Sequence, residues 1–238
     1  VHYDTIILGA GAAGMMCAAE CSKRGRRVLV IEHTKKAGEK IRISGGGRCN
    51  FTNLDARPEA FISANPHFCK SALSRYTQWD FIAMVDAHGI DWHEKTLGQL
   101  FCDDSAVQII DMLVAEMGEA ELRLNCTVEA VERADVGYSL STSQGAVTTE
   151  ALVIACGGKS IPKIGATGFG YQIARQFGLN VLETRAGLVP FTLPPDQLEA
   201  QKPLVGVAAE VNATTGGATF EEALLFTHRG LSGPAALQ

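Results

Sequence analysis

The first residues able to do chemistry are glycines. Gly9-Ala10-Gly11-Ala12-Ala13-Gly14 reads G-x-G-x-x-G, and the acid Glu32 closes the next apolar run, Val28-Leu29-Val30-Ile31. Residues of these types at this spacing bind a dinucleotide. Gly9 permits a tight turn. Gly11 presents no side chain, so a pyrophosphate can reach the backbone. Gly14 lets a helix pack close to a strand. The N–H groups around Gly11, Ala12 and Ala13 at the helix start, reinforced by the helix dipole, hold the anion. Glu32 accepts hydrogen bonds from an adenosine ribose. It repels a 2′-phosphate, which favours FAD or NAD over NADP.

A lone glycine pattern is weak evidence, since glycines are common in turns. Its surroundings give it weight. Asp4-Thr5-Ile6-Ile7-Leu8 is an apolar strand leading straight into the glycines. Met15 to Lys23 reads as a helix, with Ala18 one turn after Gly14 and Gly25 ending it. The second strand follows at once. Together these make a βαβ unit with every part in place.

A second chemical stretch follows: Lys40, Arg42, Ser44, Gly45, Gly46, Gly47, Arg48, Cys49 and Asn50, continuing to Thr52 and Asn53. Three consecutive glycines are poor in helix or strand. The flanking cations can neutralise phosphate, so this stretch reads as a second ligand-contacting loop. A third is the apolar run Ala151 to Ala155, ending Cys156-Gly157-Gly158. It suits a buried parallel strand whose C-terminal end meets a ligand.

The elements between them are less distinctive. Asn65-Pro66 reads as a helix start, with Phe68, Ala72, Leu73 and Tyr76 at helical spacing. A helix is expected from Asp80 to His88. Two short strands, Ile90 to Glu94 and Gln99 to Cys102, flank a turn at Leu97-Gly98. Asp103-Asp104-Ser105 reads as the cap of a helix with Val107, Ile110, Leu113, Val114 and Met117 on one face. Residues about 54–118 are therefore expected as a helical insertion. One or two strands span Glu121 to Val131, and Tyr138 to Thr142 with Ala146 to Thr149 form a hairpin, giving a small β-meander. A helix from Tyr171 to Phe177 and a strand from Leu179 to Leu182 follow. After Val189-Pro190 the texture turns β-rich without helical periodicity, with strands at Val205 to Val211 and Ala218 to Phe226.

The chain has 238 residues, 46% hydrophobic and 20% charged, enough for a real core. Its net charge of −5 argues against nonspecific binding to nucleic acid or to an anionic membrane. The expected partner is a small-molecule substrate, with no nucleic acid and no membrane. No apolar run approaches the roughly 18 residues that cross a bilayer. The sequence starts directly on an apolar strand, which predicts no signal peptide. Seven scattered cysteines without a C-x-x-C pair suggest reduced thiols in the cytoplasm. Cys17 and Cys21, one helical turn apart, are explained by packing, and no metal site is expected. No Ser-His-Asp constellation is evident. Cys49 beside Arg48 is a candidate redox thiol, since a cation lowers a thiol pKa, but a small buried thiol is the preferred reading. His93, between Trp92 and Glu94, is a weaker candidate.

Four motifs resemble one family: Gly9 to Gly14 with Glu32, Ser44-Gly-Gly-Gly-Arg-Cys-Asn-Phe-Thr-Asn53, Ala155 to Gly158, and Leu225-Phe-Thr-His-Arg-Gly-Leu-Ser-Gly-Pro-Ala235. The chain resembles the BaiN/RdsA (YhiN-like) family of flavoproteins over essentially its whole length. The resemblance implies an α/β fold: a Rossmann-like FAD-binding domain of the glutathione-reductase type with a β-meander, and the start of an inserted β-rich domain. Domain limits of 1–190 and 191–238 are expected. It implies that Lys40 to Asn53 lies along the pyrophosphate and flavin. Val128 then contacts the adenine through its backbone, and Gly157 and Gly158 lie against the cofactor. His228, with Arg229, is then a catalytic candidate approaching the flavin. The implied activity is an FAD-dependent oxidoreductase with NAD(P)H as candidate electron donor; a non-catalytic FAD-binding or redox-sensing module is the alternative. Cys156 stands where many flavoproteins have threonine, and Phe169 replaces an acid often found in the Thr-Gly-x-Gly turn. The family's C-terminal return over the flavin lies beyond this chain, so weaker FAD binding than in a full-length relative is expected, checked by titrating both proteins.

Overall fold

The computed structural model of the chain describes residues 1–237. It divides into two compact units, Val1–Asn180 and Val181–Gln238.

The first unit opens with β1 (His2–Leu8), α1 (Ala12–Lys23) and β2 (Val28–Ile31). β1 and β2 run parallel, Ile6 opposite Leu29 and Leu8 opposite Ile31. Strand residues alternate between faces. Ile6, Leu8, Leu29 and Ile31 enter one core cluster, while Ile7, Val28 and Val30 enter the other. Both faces are covered, so these strands read as unbroken apolar runs. The helix starts at Ala12, not Met15, because its first turn lies inside the glycine pattern, with Gly11 as N-cap.

The basic glycine stretch is not a single loop. It folds as α2 (Glu39–Ile43), a tight 3-10 turn over Ser44–Gly47, and β3 (Asn50–Asn53). Gly45 and Gly46 break the helix with φ of 57° and 68°, left-handed values that favour glycine. Next come α3 (Lys70–Arg75), α4 (Gln78–Ala87), β4 (Trp92–Glu94), β5 (Gln99–Cys102) and α5 (Ala106–Glu116). The expected helical insertion thus contains sheet: β3, β5 and β4 pair antiparallel in that order. Asn65 does not cap a helix. Its Oδ1 accepts from the His67 N–H at 3.1 Å, a local turn, and α3 starts only at Lys70. By contrast Thr77 with Asp80 and Ser105 with Gln108 form complete capping boxes on α4 and α5. On α5 the buried face is Ala106, Ile109, Ile110, Met112 and Leu113, while Val114 points outward.

The unit closes with β6 (Glu121–Arg123), β7 (Val128–Arg133), β8 (Tyr138–Thr142), β9 (Val147–Ile154) and α6 (Phe169–Gln176). The main sheet has the order β6-β2-β1-β9-β8-β7. The hairpin strand at Ala146–Thr149 and the buried strand at 151–155 are one strand, β9. Its first residues pair antiparallel with β8, and from Thr148 to Ile154 it runs parallel to β1. The strand expected at Leu179–Leu182 is absent. The Gly178 and Leu179 N–H groups close α6 by donating to Arg175 and Ala174, and both Leu179 and Leu182 are exposed.

The second unit holds β10 (Phe191–Thr192), α7 (Pro195–Gln201), β11 (Ala208–Thr215), β12 (Ala218–Thr227), β13 (Gly230–Ser232) and α8 (Pro234–Leu237). Its antiparallel sheet has the order β10-β13-β12-β11. The helix α7 was not expected. Pro195-Asp-Gln-Leu-Glu-Ala-Gln201 is polar nearly all round, so no apolar period betrays it. Among the described residues no helix is long and apolar enough to cross a membrane.

The contact of α1 with the β1 turn gives a stability test. A Cβ on Gly14 would overlap the Gly9 carbonyl oxygen. Gly14→Ala is expected to cost about 1–3 kcal/mol, the usual range for overpacking, read as a lower denaturation midpoint.

Candidate functional site

The C-terminal ends of β1, β2 and β9 open into a cavity of about 890 Å³ within the first unit. Strand ends of an open parallel sheet are where such folds take ligands. The β1–α1 turn forms its floor. Gly9 has φ of 107°, and a Cβ there would stand 2.5 Å from the Ala155 carbonyl oxygen. Only glycine lets the turn pass against the end of β9. Gly14 lies behind the cavity, tight on Gly9. Gly11 faces open space, with nothing within 4 Å of where a Cβ would be.

The helix start above this space is bare. α1 has no side-chain cap and no acid in its first turn, although α4 and α5 carry full capping boxes. Its first N–H groups point where an anion gains most from them. A second helix start, that of α6, reaches the same cavity through Thr167 to Tyr171. Its N-cap, Gly168, likewise makes no side-chain cap. The sequence reading did not place this second start in the site. The signal was there: Thr167-Gly168-Phe169-Gly170 repeats the glycine-before-helix pattern.

Glu32 is nearly buried and does more than wait for a ribose. Its Oε2 accepts from the Ala10 N–H at 2.9 Å. Its Oε1 accepts from the Thr34 N–H at 2.8 Å and the Thr34 hydroxyl at 2.9 Å. The carboxylate therefore ties the β1–α1 turn to the segment after β2. The His33 Nδ1 also stands 3.1 Å from Oε1, so a further donor would approach Oε2, which takes the Ala10 N–H. Beside it, Cys156 lines the cavity with its thiol pushed up to about 11, by burial first and by the Glu32 charge second.

Lys40 and Val128 complete the lining. The Lys40 ammonium donates to the Gly158 carbonyl at 3.1 Å and the Ser160 hydroxyl at 3.0 Å, strapping α2 to the loop after β9. Gly9, Gly11, Ala12, Ala13, Glu32, Lys40, Val128, Ala155 and Gly157 thus share one cavity. Gly14 and Gly158 sit just outside its lining.

Arg42, Ser44, Gly45, Gly46, Gly47, Arg48, Cys49 and Asn50 do not line that cavity. They run from the end of α2, which holds Arg42, through the turn to the first residue of β3, Asn50. A Cβ on Gly45 would stand 2.7 Å from the Phe101 ring and 2.8 Å from the Asn50 nitrogen. The Arg48 carbonyl accepts from the Cys102 N–H at 3.0 Å. The Arg42 Nε is buried without a hydrogen-bond partner. Burial raises the Cys49 thiol above its ordinary value, and a Ser44 hydrogen bond offsets this only in part. That runs against the lowering a cationic neighbour such as Arg48 would give and agrees with the reading of Cys49 as a small buried thiol. His228 lies in the second unit beside a smaller cavity of about 440 Å³ that Thr192, Thr227 and Arg229 also line. Cys17 and Cys21 pack against the core, and burial pushes Cys17 up to about 11. Among the described residues no group of three or more potential metal ligands gathers.

A Rossmann-type α/β domain with an uncapped glycine turn at its strand ends defines a nucleotide-binding protein. Residues 3–228 match the HI0933-like protein Rossmann domain, and the chain belongs to that family. It is 60% identical over 240 residues to the ribosomal RNA dihydrouridine synthase of Escherichia coli strain K12, covering all of this chain and 60% of that protein. It is 49% identical over 244 residues to the protein of the same name from Haemophilus influenzae, covering all of this chain and 61% of that one. A 3-dehydro-bile acid delta(4,6)-reductase of Clostridium scindens is 25% identical over 177 residues, covering 72% of this chain and 43% of that protein. The chain thus spans about three fifths of the length of the first two relatives.

These relatives overturn the expectation of a small-molecule substrate and no nucleic-acid partner. Two proteins this similar are named for action on ribosomal RNA. The argument from charge failed because −5 is a sum over the whole chain. RNA is held through local cations and exposed bases, which a net sum does not report.

Gly11→Leu separates binding from folding. Gly11 has ordinary extended geometry and no neighbour to clash with. Stability should stay within about 0.5 kcal/mol. Dinucleotide affinity by titration should fall at least about tenfold, or about 1.4 kcal/mol.

Proposed function

We propose that this chain is the FAD-binding part of an oxidoreductase that reduces uridine in ribosomal RNA to dihydrouridine, with NAD(P)H as electron donor. Residues of the first unit hold the cofactor, and the second unit begins an inserted β-rich domain. An RNA substrate puts the enzyme in the cytoplasm.

The observation that carries the reading is the bare start of α1 over the open space at Gly11. Ala12 and Ala13 would bind the pyrophosphate through their N–H groups. Glu32 would take the adenosine ribose on its remaining acceptor position, and the Val128 backbone would border the adenine. Lys40 stands at the cavity wall leading toward the glycine turn, where it would screen phosphate charge. FAD favoured over NADP follows from Glu32, since its charge repels a 2′-phosphate. Bound flavin supplies two-electron redox chemistry; the protein supplies binding, orientation and electrostatics.

The relatives' names support one reaction class. Dihydrouridine differs from uridine by hydrogen added across C5=C6, an alkene conjugated with the C4 carbonyl. A reductase of 3-dehydro bile acids acts on an alkene conjugated with a ketone. One site chemistry serves both.

The test uses the protein as its host makes it. Ribosomal RNA from cells lacking the gene is incubated with protein, FAD and NADPH, then analysed by mass spectrometry of nucleosides. New dihydrouridine is the expected result. Flavin bleaching by NADPH without any dihydrouridine would sink the RNA assignment while leaving the flavoenzyme.

A further inference from the structure

A side-chain pair on the β4–β5 hairpin, outside the cavity lining, stands near the turn at Ser44–Gly47. His93 on β4 holds Asp103 at 2.6 Å between Nδ1 and Oδ1, and both side chains are about half exposed. The His93 ring lies near-parallel to Phe101 on β5, with centroids 6.3 Å apart and planes 19° apart. Phe101 in turn abuts the site of Gly45. Lys95, two residues after His93 and so on the same strand face, stands 5.2 Å from the Phe101 ring centre. The turn joins the cavity through α2, whose first residues Glu39, Lys40 and Ile41 line it. That helix has five residues, about 7 Å at 1.5 Å each.

Reducing a conjugated alkene needs two deliveries. A bound reduced flavin would supply the hydride, an electron pair with one hydrogen, that C6 of the base takes. The former C5=C6 pair is then left on C5, delocalised to O4, and C5 must receive a proton. The Cys49 thiol is buried, and among the cavity residues Glu32 is tied to Ala10 and Thr34, Lys40 to Gly158 and Ser160, and Cys156 to the Leu8 carbonyl. The other histidines of the first unit are badly placed. His33 contacts Glu32 at the adenosine end, His2 contacts Thr148 at the opposite strand end, His67 lies in the turn before α3, and His88 pairs with Glu116. His93, by contrast, pairs with a carboxylate and stacks on the Phe101 ring that abuts Gly45.

We propose that His93 is the proton donor to C5 of the uracil base, with Asp103 as the residue that positions it. This rests on the reading of the site as a flavin-dependent uridine reductase. Asp103 accepts from Nδ1–H and fixes the ring, so Nε2–H faces outward. In the step the Nε2–H bond breaks, the C5–H bond forms, and the imidazolium becomes neutral imidazole. The electrons come from the flavin, which NAD(P)H reduces again. Lys95 on the same face stabilises the negative charge that develops on O4.

Two measurements test this. First, an RNA carrying 5-iodouridine at the target position is irradiated with the protein, and the cross-linked peptide is mapped. Attachment within Trp92–Cys102 is expected; attachment wholly outside it overturns the proposal. Second, His93→Gln is compared with the unaltered protein. Flavin content and bleaching by NADPH should be unchanged, while dihydrouridine formation falls about 10²–10⁴-fold, the usual contribution of a general acid. Asp103→Asn should lower kcat with KM unmoved. Full turnover by His93→Gln overturns the proposal alone. If the unaltered protein makes no dihydrouridine, the functional reading falls and the proposal with it.

Discussion

The first unit depends on how closely α1 approaches β1 and β9. Gly14 lies so near the Gly9 carbonyl that no side chain fits between, and Gly9 itself presses on Ala155. Close approach brings the start of α1 directly over the strand ends. The helix dipole and its unpaired N–H groups then face a single cavity. A longer separation would leave the same residues without a shared space. The glycines are thus packing residues first, and binding follows from where the packing leaves the backbone.

Glu32 turns that arrangement into one piece. A carboxylate read as a ribose acceptor is also the hydrogen-bond partner of Ala10 and Thr34. In the proposed reading one side chain serves both binding and architecture, and the nucleotide would meet an acid already oriented by the fold. The same economy appears at Lys40, which lines the cavity while strapping α2 to the Gly158 loop. Both groups lose little freedom when a ligand arrives, because internal bonds already hold them.

The glycine-rich stretch was read correctly as unusual and incorrectly as one loop. Its cations and glycines could be seen in order, but their folding could not. Ser44 to Asn50 takes its shape from Phe101, some fifty positions away in sequence, through the Gly45 contact and the Arg48–Cys102 hydrogen bond. That same sheet brings His93 to Asp103. In sequence His93 has Trp92 and Glu94 as neighbours, whereas its partner Asp103 lies across a strand turn. Likewise Arg48 beside Cys49 leaves an activated thiol open in sequence, and the burial that raises its pKa comes from tertiary packing.

The amino-acid order by itself determined the βαβ unit, its glycine turn, the terminal acid and the apolar strand ending at Gly157. These are local: each needs only neighbours within a few residues and a two-residue or 3.6-residue period. It also determined that helices stand at α4 and α5, the latter through its Ser105 cap; the Thr77 cap on α4 emerges only in the structure. Tertiary structure alone decided that Ala146–Thr149 and 151–155 are one strand, since β8 and β1 pair with its different parts. It alone decided that Leu179–Leu182, apolar enough for a strand, finds no partner. It alone brought the start of α6 to the cavity and set His93 against Asp103. Each of these depends on which surfaces meet. Backbone pairing and burial are satisfied between segments far apart in the chain, and no local pattern states which partner will be there.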